Sequence, residues 1–161
     1  MAQLAAPLHA YEAAAARAPL SLLSLLEAHE ALADALLAGG RPDAGAARSC
    51  LALVGRALGR VHRELPRDLG LAVYCRAAAE LHLWAGANEE ARKLLADAAD
   101  MFKDGGAECS EELEACQRML AVCERRIAAA AAAGAGKPTL AHSAEQRQQP
   151  PQQKQQPQQA Q

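Results

Sequence analysis

Alanine fills 42 of the 161 positions, whereas valine, isoleucine and threonine together fill six. That ratio constrains the fold more than any motif in the chain. Alanine and leucine favour helices, while pleated strands draw on β-branched and aromatic side chains. Only Tyr11, Tyr74, Trp84 and Phe102 are aromatic. A sheet protein is therefore excluded, and an all-α fold is expected. Alanine buries little area per residue, so the expected packing is closely spaced helices around a thin core.

The formal net charge is −2 and the sequence pI is about 6.2. A general nucleic-acid binder usually carries a clear basic excess, so nucleic acid is not the expected partner. No run of about 18 apolar residues occurs, and no membrane span is expected. The N-terminal stretch lacks the pattern of a secretory signal. It is Ala-rich with Arg17, which leaves organelle import open, although Glu12 and the scarcity of Ser and Arg argue against it. The five cysteines are an odd number with no C-x-x-C pair. Neither a disulfide scaffold nor a zinc module is expected, and a reducing compartment, cytoplasmic or nuclear, is the natural one.

Helical periodicity and stop signals divide the chain into five or six helices. A short Ala-rich segment follows Pro7. Pro19 opens a second segment, with Leu22, Leu25, Leu26, His29, Leu32, Ala33, Leu36 and Leu37 on one face. Gly39 and Gly40 end it, and Pro42 and Asp43 start the next, which turns Ala46, Ala47, Cys50, Leu51, Val54, Leu58 and Val61 inward. After Pro66, Leu69, Val73, Ala77, Leu81 and Trp84 form a stripe that runs up to Gly86. Asn88 is a candidate N-cap for a helix carrying Ala91, Leu94, Leu95, Ala98, Met101 and Phe102. Gly105 and Gly106 stop that helix, and Ser110 starts the last one. The composition changes near residue 128, where an all-Ala run (128–133) leads into Gly134 and Gly136, and residues 146–161 hold ten Gln and three Pro. Such a segment buries too little to offset its ordering entropy, so a helical domain over 1–130 and a disordered tail over 131–161 are expected.

Two stretches resemble one another. HEALADALLAGGRPDAGAARSCLALV (29–54) and RAAAELHLWAGANEEARKLLADAADMF (76–102) align with Gly39 over Gly86, Leu37 over Trp84 and Ala44 over Ala91. Each is a helix, a Gly-containing turn, an acidic residue, a small residue and a second helix. The Glu90–Ala91 pair, matched by Asp43–Ala44, resembles the turn of the tetratricopeptide repeat. The 47-residue offset departs from the usual period of about 34. Residues 20–127 thus resemble a divergent tetratricopeptide-like array. The stretch from Ala78 to Leu120 is also similar in outline to the C-terminal helical domain of the SET-and-MYND lysine methyltransferases. Neither the SET signature nor the Cys-rich zinc finger of that family is present.

Cys109, Cys116 and Cys123 fall seven apart and, with Leu113, Leu120 and Ile127, make a seam on the last helix. Successive members lie about 10 Å apart along a helix, too far to share an ion or to form a disulfide. They are expected to pack as small hydrophobes, or to pair between chains in a homodimer through 113–127. The five histidines show no ligand spacing, and no phosphate loop or nucleophile motif occurs. No catalytic group, metal or cofactor is implied.

Charge is segregated. Residues 41–76 hold seven Arg against three acidic residues, and residues 80–124 hold four basic against eleven acidic ones. Arg48, Arg56, Arg60, Arg63 and Arg67 lie on or just beyond one helix, as a patch for an acidic peptide or as a face paired within the chain. The tetratricopeptide resemblance implies a ligand groove lined by the first helix of each hairpin, where His29, Asp34, Tyr74, Arg76 and Glu80 fall. The expectation is a non-enzymatic interaction module that binds a protein partner, with Tyr74, Arg76, His29, Arg56, Arg60 and Arg63 as its contact residues. A helical fragment related to the SET-and-MYND enzymes and a self-associating bundle are the alternatives.

Overall fold

A computed structural model of the chain describes residues 2–38 and 44–135. Among these, six α-helices and one 3-10 turn account for nearly every residue, and no strand occurs. The helices are α1 (Ala2–Ala16), α2 (Leu22–Ala38), α3 (Ala44–Glu64), α4 (Leu69–Trp84), α5 (Asn88–Asp104) and α6 (Ser110–Ala135). This is the all-α fold that the alanine excess implies. The expected turn at 39–43 and the Gln/Pro tail lie outside the described residues.

Several helix ends follow from local chemistry. Ser21 caps α2, its Oγ accepting from the Ser24 amide at 3.3 Å. Asp68 caps α4 through Oδ1 and the Leu71 amide at 3.1 Å. At the other end of α4, the Ala87 amide donates to His82 O and the Gly86 amide to Leu83 O. That pair is a Schellman closure, and it places Gly86 at φ +81°, where only glycine avoids a penalty. Asn88 does not cap α5: it is the first helical residue, and its Oδ1 is buried without a partner. α1 starts at Ala2, so Pro7 sits inside the helix rather than at its first position. α6 continues through the alanine run to Ala135, so residues 131–135, expected in the disordered tail, are helical; α6 is about 39 Å long against about 26 Å for α5.

α4 is the centre of the array. It packs on α5, α2 and α3, while α1 pairs with α2 and α6 with α5. Among the described residues α2 and α3 are not a closely packed pair, so the second repeat unit is a tight hairpin and the first is splayed. The small residues Ala72, Ala78, Ala79, Ala91 and Ala98 are fully buried, which lets helices approach closely. Leu25, Leu32, Val54, Val61, Leu95 and Phe102 fill the space between them. Most of the expected inward faces of α3 and α5 is buried, although Ala46, Leu51 and Leu94 are half-buried and Leu53 and Ala57 join the core unforeseen. Leu37, expected inside, is 67% exposed at the end of α2.

The expected stripe on α4 is displaced. Leu71, Ala72, Tyr74, Cys75, Ala78, Ala79, Leu81 and His82 are the buried residues, whereas Val73 and Ala77 are half-buried and Leu69 is exposed. A helix packed against three neighbours is apolar on several sides, so no single stripe marks its core face.

Candidate functional site

The displaced stripe has a consequence. Val73, Ala77 and Leu81 of α4 face Leu26, His29 and Ala33 of α2 across an open groove of about 400 Å³. Leu23, 69% exposed, extends its apolar wall. Glu27 and Glu30 of α2 and Glu80 of α4 stand on the rim, with Arg76 as the one cation among the described lining residues. The groove runs between α2 and α4, the helices that the tetratricopeptide resemblance leads one to expect as a ligand surface.

Arg76 is already engaged. Its guanidinium lies 3.3 Å from Glu80 Oε1, and its Nε lies 3.1 Å from Glu112 Oε2 of α6. The second contact is an ion pair by distance, but the Nε–H is not aligned for a hydrogen bond. With Arg76 neutralised in this way, the rim presents net negative charge.

His29 closes the inner wall. It is buried between Tyr11 and Tyr74, each ring centroid 5.9 Å from its own. Burial lowers its pKa, partly opposed by a hydrogen bond to the backbone of Ala77 and reinforced by the nearby His82. The imidazole is therefore held neutral, a wedge rather than a charge. Tyr74 is not a contact residue. It is fully buried behind His29, and its hydroxyl is hydrogen-bonded to that of Tyr11. Burial pushes Tyr11 up to about 12 and Tyr74 further still. The expected Tyr74–Arg76 surface pair does not form, because the two side chains leave α4 in different directions.

The arginine patch is a separate feature. Arg56, Arg60 and Arg63 of α3 line a second hollow of about 260 Å³ with Glu12, Ala15 and Ala16 of α1. Arg60 is structural there. It grips Glu64 with two nitrogens, at 2.6 and 3.0 Å, and donates to Ala15 O at 2.6 Å. That last bond caps the C-terminus of α1, where a cation is favoured. Arg67 pairs with Asp97 of α5 at 2.6 Å. The six expected contact residues thus divide into three sets: His29 and Arg76 at one groove, the three arginines at another hollow, and Tyr74 inside the core. The acidic rim residues Glu27 and Glu30 were missed, although their spacing from Leu23 and Leu26 already marks one face of α2.

The seam of α6 turns inward. Cys116 and Cys123 are fully buried, and Leu113, Leu120 and Ile127 pack against the core. All five cysteines are free thiols. Among the described residues no helix is long and apolar enough to cross a membrane.

Among the described residues these features define an all-α helical array with an open, acid-rimmed apolar groove. Compared with known proteins, the chain matches no family model, no curated protein and no solved structure.

Proposed function

We propose that this chain is a non-enzymatic protein-interaction module that seats a cationic amphipathic helix of a partner protein in the α2/α4 groove. The carrying observation is the rim of Glu27, Glu30 and Glu80 around a floor of Leu26, Ala33, Val73, Ala77 and Leu81. A helix laid in such a groove presents apolar anchors at i, i+3, i+4 and i+7 and basic residues at its flanks. The volume falls in the ordinary range of binding clefts. The position of the groove on α2 and α4 is what a tetratricopeptide-like array leads one to expect, although among the described residues α2 and α3 do not close into a tight hairpin. Among the described lining residues none supplies a nucleophile beside a base: the carboxylates stand on the rim and the His29 imidazole is wedged between tyrosines.

An acidic partner segment, the expectation from sequence, suits the α1/α3 hollow better, where Arg56 and Arg63 are exposed beside the anchored Arg60. Self-association through 113–127 gains little support from a seam whose Cys116 and Cys123 are fully buried and whose Leu113, Leu120 and Ile127 pack partly buried against the core.

The test uses a fluorescein-labelled helical peptide of Leu and Lys with helical spacing, titrated against the full chain by anisotropy. Saturable binding is expected. Reversing both rim charges (Glu27→Lys with Glu30→Lys) removes roughly 1.4 kcal/mol, about a tenfold loss, if each exposed pair contributes within the usual 0.2–1 kcal/mol and reversal adds repulsion. The control Glu111→Lys with Glu114→Lys leaves binding unchanged. Equal losses in both double variants, or equal affinity for a Leu/Glu peptide, would overturn the reading.

A further inference from the structure

One cluster of reactive side chains lies apart from both hollows. His62 near the end of α3, Cys75 in the middle of α4 and Asp97 in the middle of α5 each offer one ligand atom, and these atoms all lie within 4.8 Å of one another. Cys75 Sγ is 3.9 Å from His62 Nε2. The three residues are 13 and 22 positions apart in the chain, so no sequence motif announces them; the packing of three helices brings them together.

We propose that His62, Cys75 and Asp97 form a site for a divalent transition-metal ion of the zinc type, with water completing the tetrahedron. Three points separated by no more than 4.8 Å all lie within about 2.8 Å of a common point, whereas zinc binds S at about 2.3 Å and N or O at about 2.0–2.2 Å. Closing the site needs each ligand atom to move inward by roughly half an ångström to one ångström, within the reach of side-chain torsions. The ligand set is also right in kind. A thiolate and an imidazole select zinc over calcium or magnesium, and a carboxylate is tolerated by it.

Charge supports the same reading. A thiolate and a carboxylate carry two negative charges, which a dication neutralises. Arg67 is the cation now on Asp97; its side chain is more than half exposed and binds one carboxylate oxygen, so the other remains available. The cluster has an open side, because His62 is exposed while Cys75 is fully buried.

The same three residue types could in principle make a Cys–His–Asp nucleophile. The surroundings oppose that. A reactive cysteine needs a depressed pKa and access to substrate, and burial together with Asp97 pushes the Cys75 thiol up to about 12. Neither hollow described above includes Cys75 in its lining. A bound metal removes the obstacle directly: the S–H bond breaks, the sulfur pair forms the metal–sulfur bond, and the proton leaves to solvent.

The test is titration of the reduced, metal-stripped full chain with Co2+, whose thiolate-to-metal charge-transfer band reports sulfur ligation. One equivalent is expected to bind, to develop that band and to be displaced by Zn2+. Cys75→Ser should lose the band. His62→Ala, at an exposed position that leaves the core intact, and Asp97→Asn should keep a weaker thiolate signal with affinity lowered about tenfold or more. Cys116→Ser, a buried thiol on α6, should change nothing. Absence of a band in the parent chain, a band that survives Cys75→Ser, or one lost with Cys116→Ser would each overturn the assignment.

Discussion

Replacing Tyr74 by Phe separates the structural role found for this residue from the surface role expected for it. Tyr11 and Tyr74 join α1 to α4 through a single hydroxyl–hydroxyl bond at zero exposure. Tyr74→Phe keeps the ring, and so the packing, but leaves the Tyr11 hydroxyl buried without that partner. An orphaned buried hydroxyl costs about 1–3 kcal/mol. For a folded part of intermediate size, 1 kcal/mol corresponds to roughly 4 °C in Tm. Tyr74→Phe should therefore lower Tm by about 4–12 °C, and Tyr11→Phe by a similar amount. The double variant removes both hydroxyls and leaves nothing unpaired between them. Its loss should be smaller than the sum of the two single losses by at least about 1 kcal/mol. Thermal unfolding followed by circular dichroism at neutral pH, with urea titrations as a check, measures all four proteins. A surface Tyr74 would give a change within about 0.5 kcal/mol. Such a result, or single losses that simply add in the double variant, would refute the buried pair.

Three further outcomes follow from other parts of the structure. His29 is held neutral by burial, so its folded pKa lies below its unfolded value; the unfolded chain takes the proton first as pH falls below about 6.5, and stability is lost from there downward at no more than about 1.4 kcal/mol per pH unit. His29→Gln should therefore show a smaller drop in Tm between about pH 7.5 and 5.5 than the parent chain, and an equal drop would place the titration elsewhere. Gly86→Ala meets no atom within 4 Å but stands at φ +81°, so it should cost about 1–2 kcal/mol from the backbone alone, read by urea denaturation. Zinc at a hundredfold excess over its Kd should stabilise the parent chain by about 2.7 kcal/mol, seen as a rise in Tm that Cys75→Ser abolishes.

The fold was legible to different depths along the chain. α5 packs chiefly on α4 and α6, and its apolar periodicity marks the buried side directly; Ala91, Leu95, Ala98, Met101 and Phe102 are buried as periodicity implies. α4 packs on three helices and is tied by side-chain contacts to two more, and its i,i+4 polar pair, Arg76 and Glu80, lies on the same side as Val73 and Ala77. The strongest-looking stripe on it proved to be the half-open one. That misplacement also hid the groove, because Val73 and Ala77 were assigned to the core when they are its floor. Arg76 was found from its position, yet its partner Glu112 lies 36 residues away on α6, where no local spacing announces the pairing. His62, Cys75 and Asp97 were invisible for the same reason: each belongs to a different helix.

The alanine excess connects these observations. Close helix approach through Ala72, Ala78, Ala79, Ala91 and Ala98 leaves little volume for large side chains, so each interface buries modest apolar area. Polar ties between helices then hold a larger share of the specificity. Tyr11 ties α1 to α4, Arg60 ties α3 to α1, Arg126 ties α6 to α4 through Leu83 O, and Arg76 ties α4 to α6. Nearly all of these converge on α4. A helix fixed by ties on several sides can leave one face uncovered without losing its place, and the face left uncovered is the floor of the acidic groove. The composition that makes the core thin is thus also what makes an open apolar surface tolerable on its central helix.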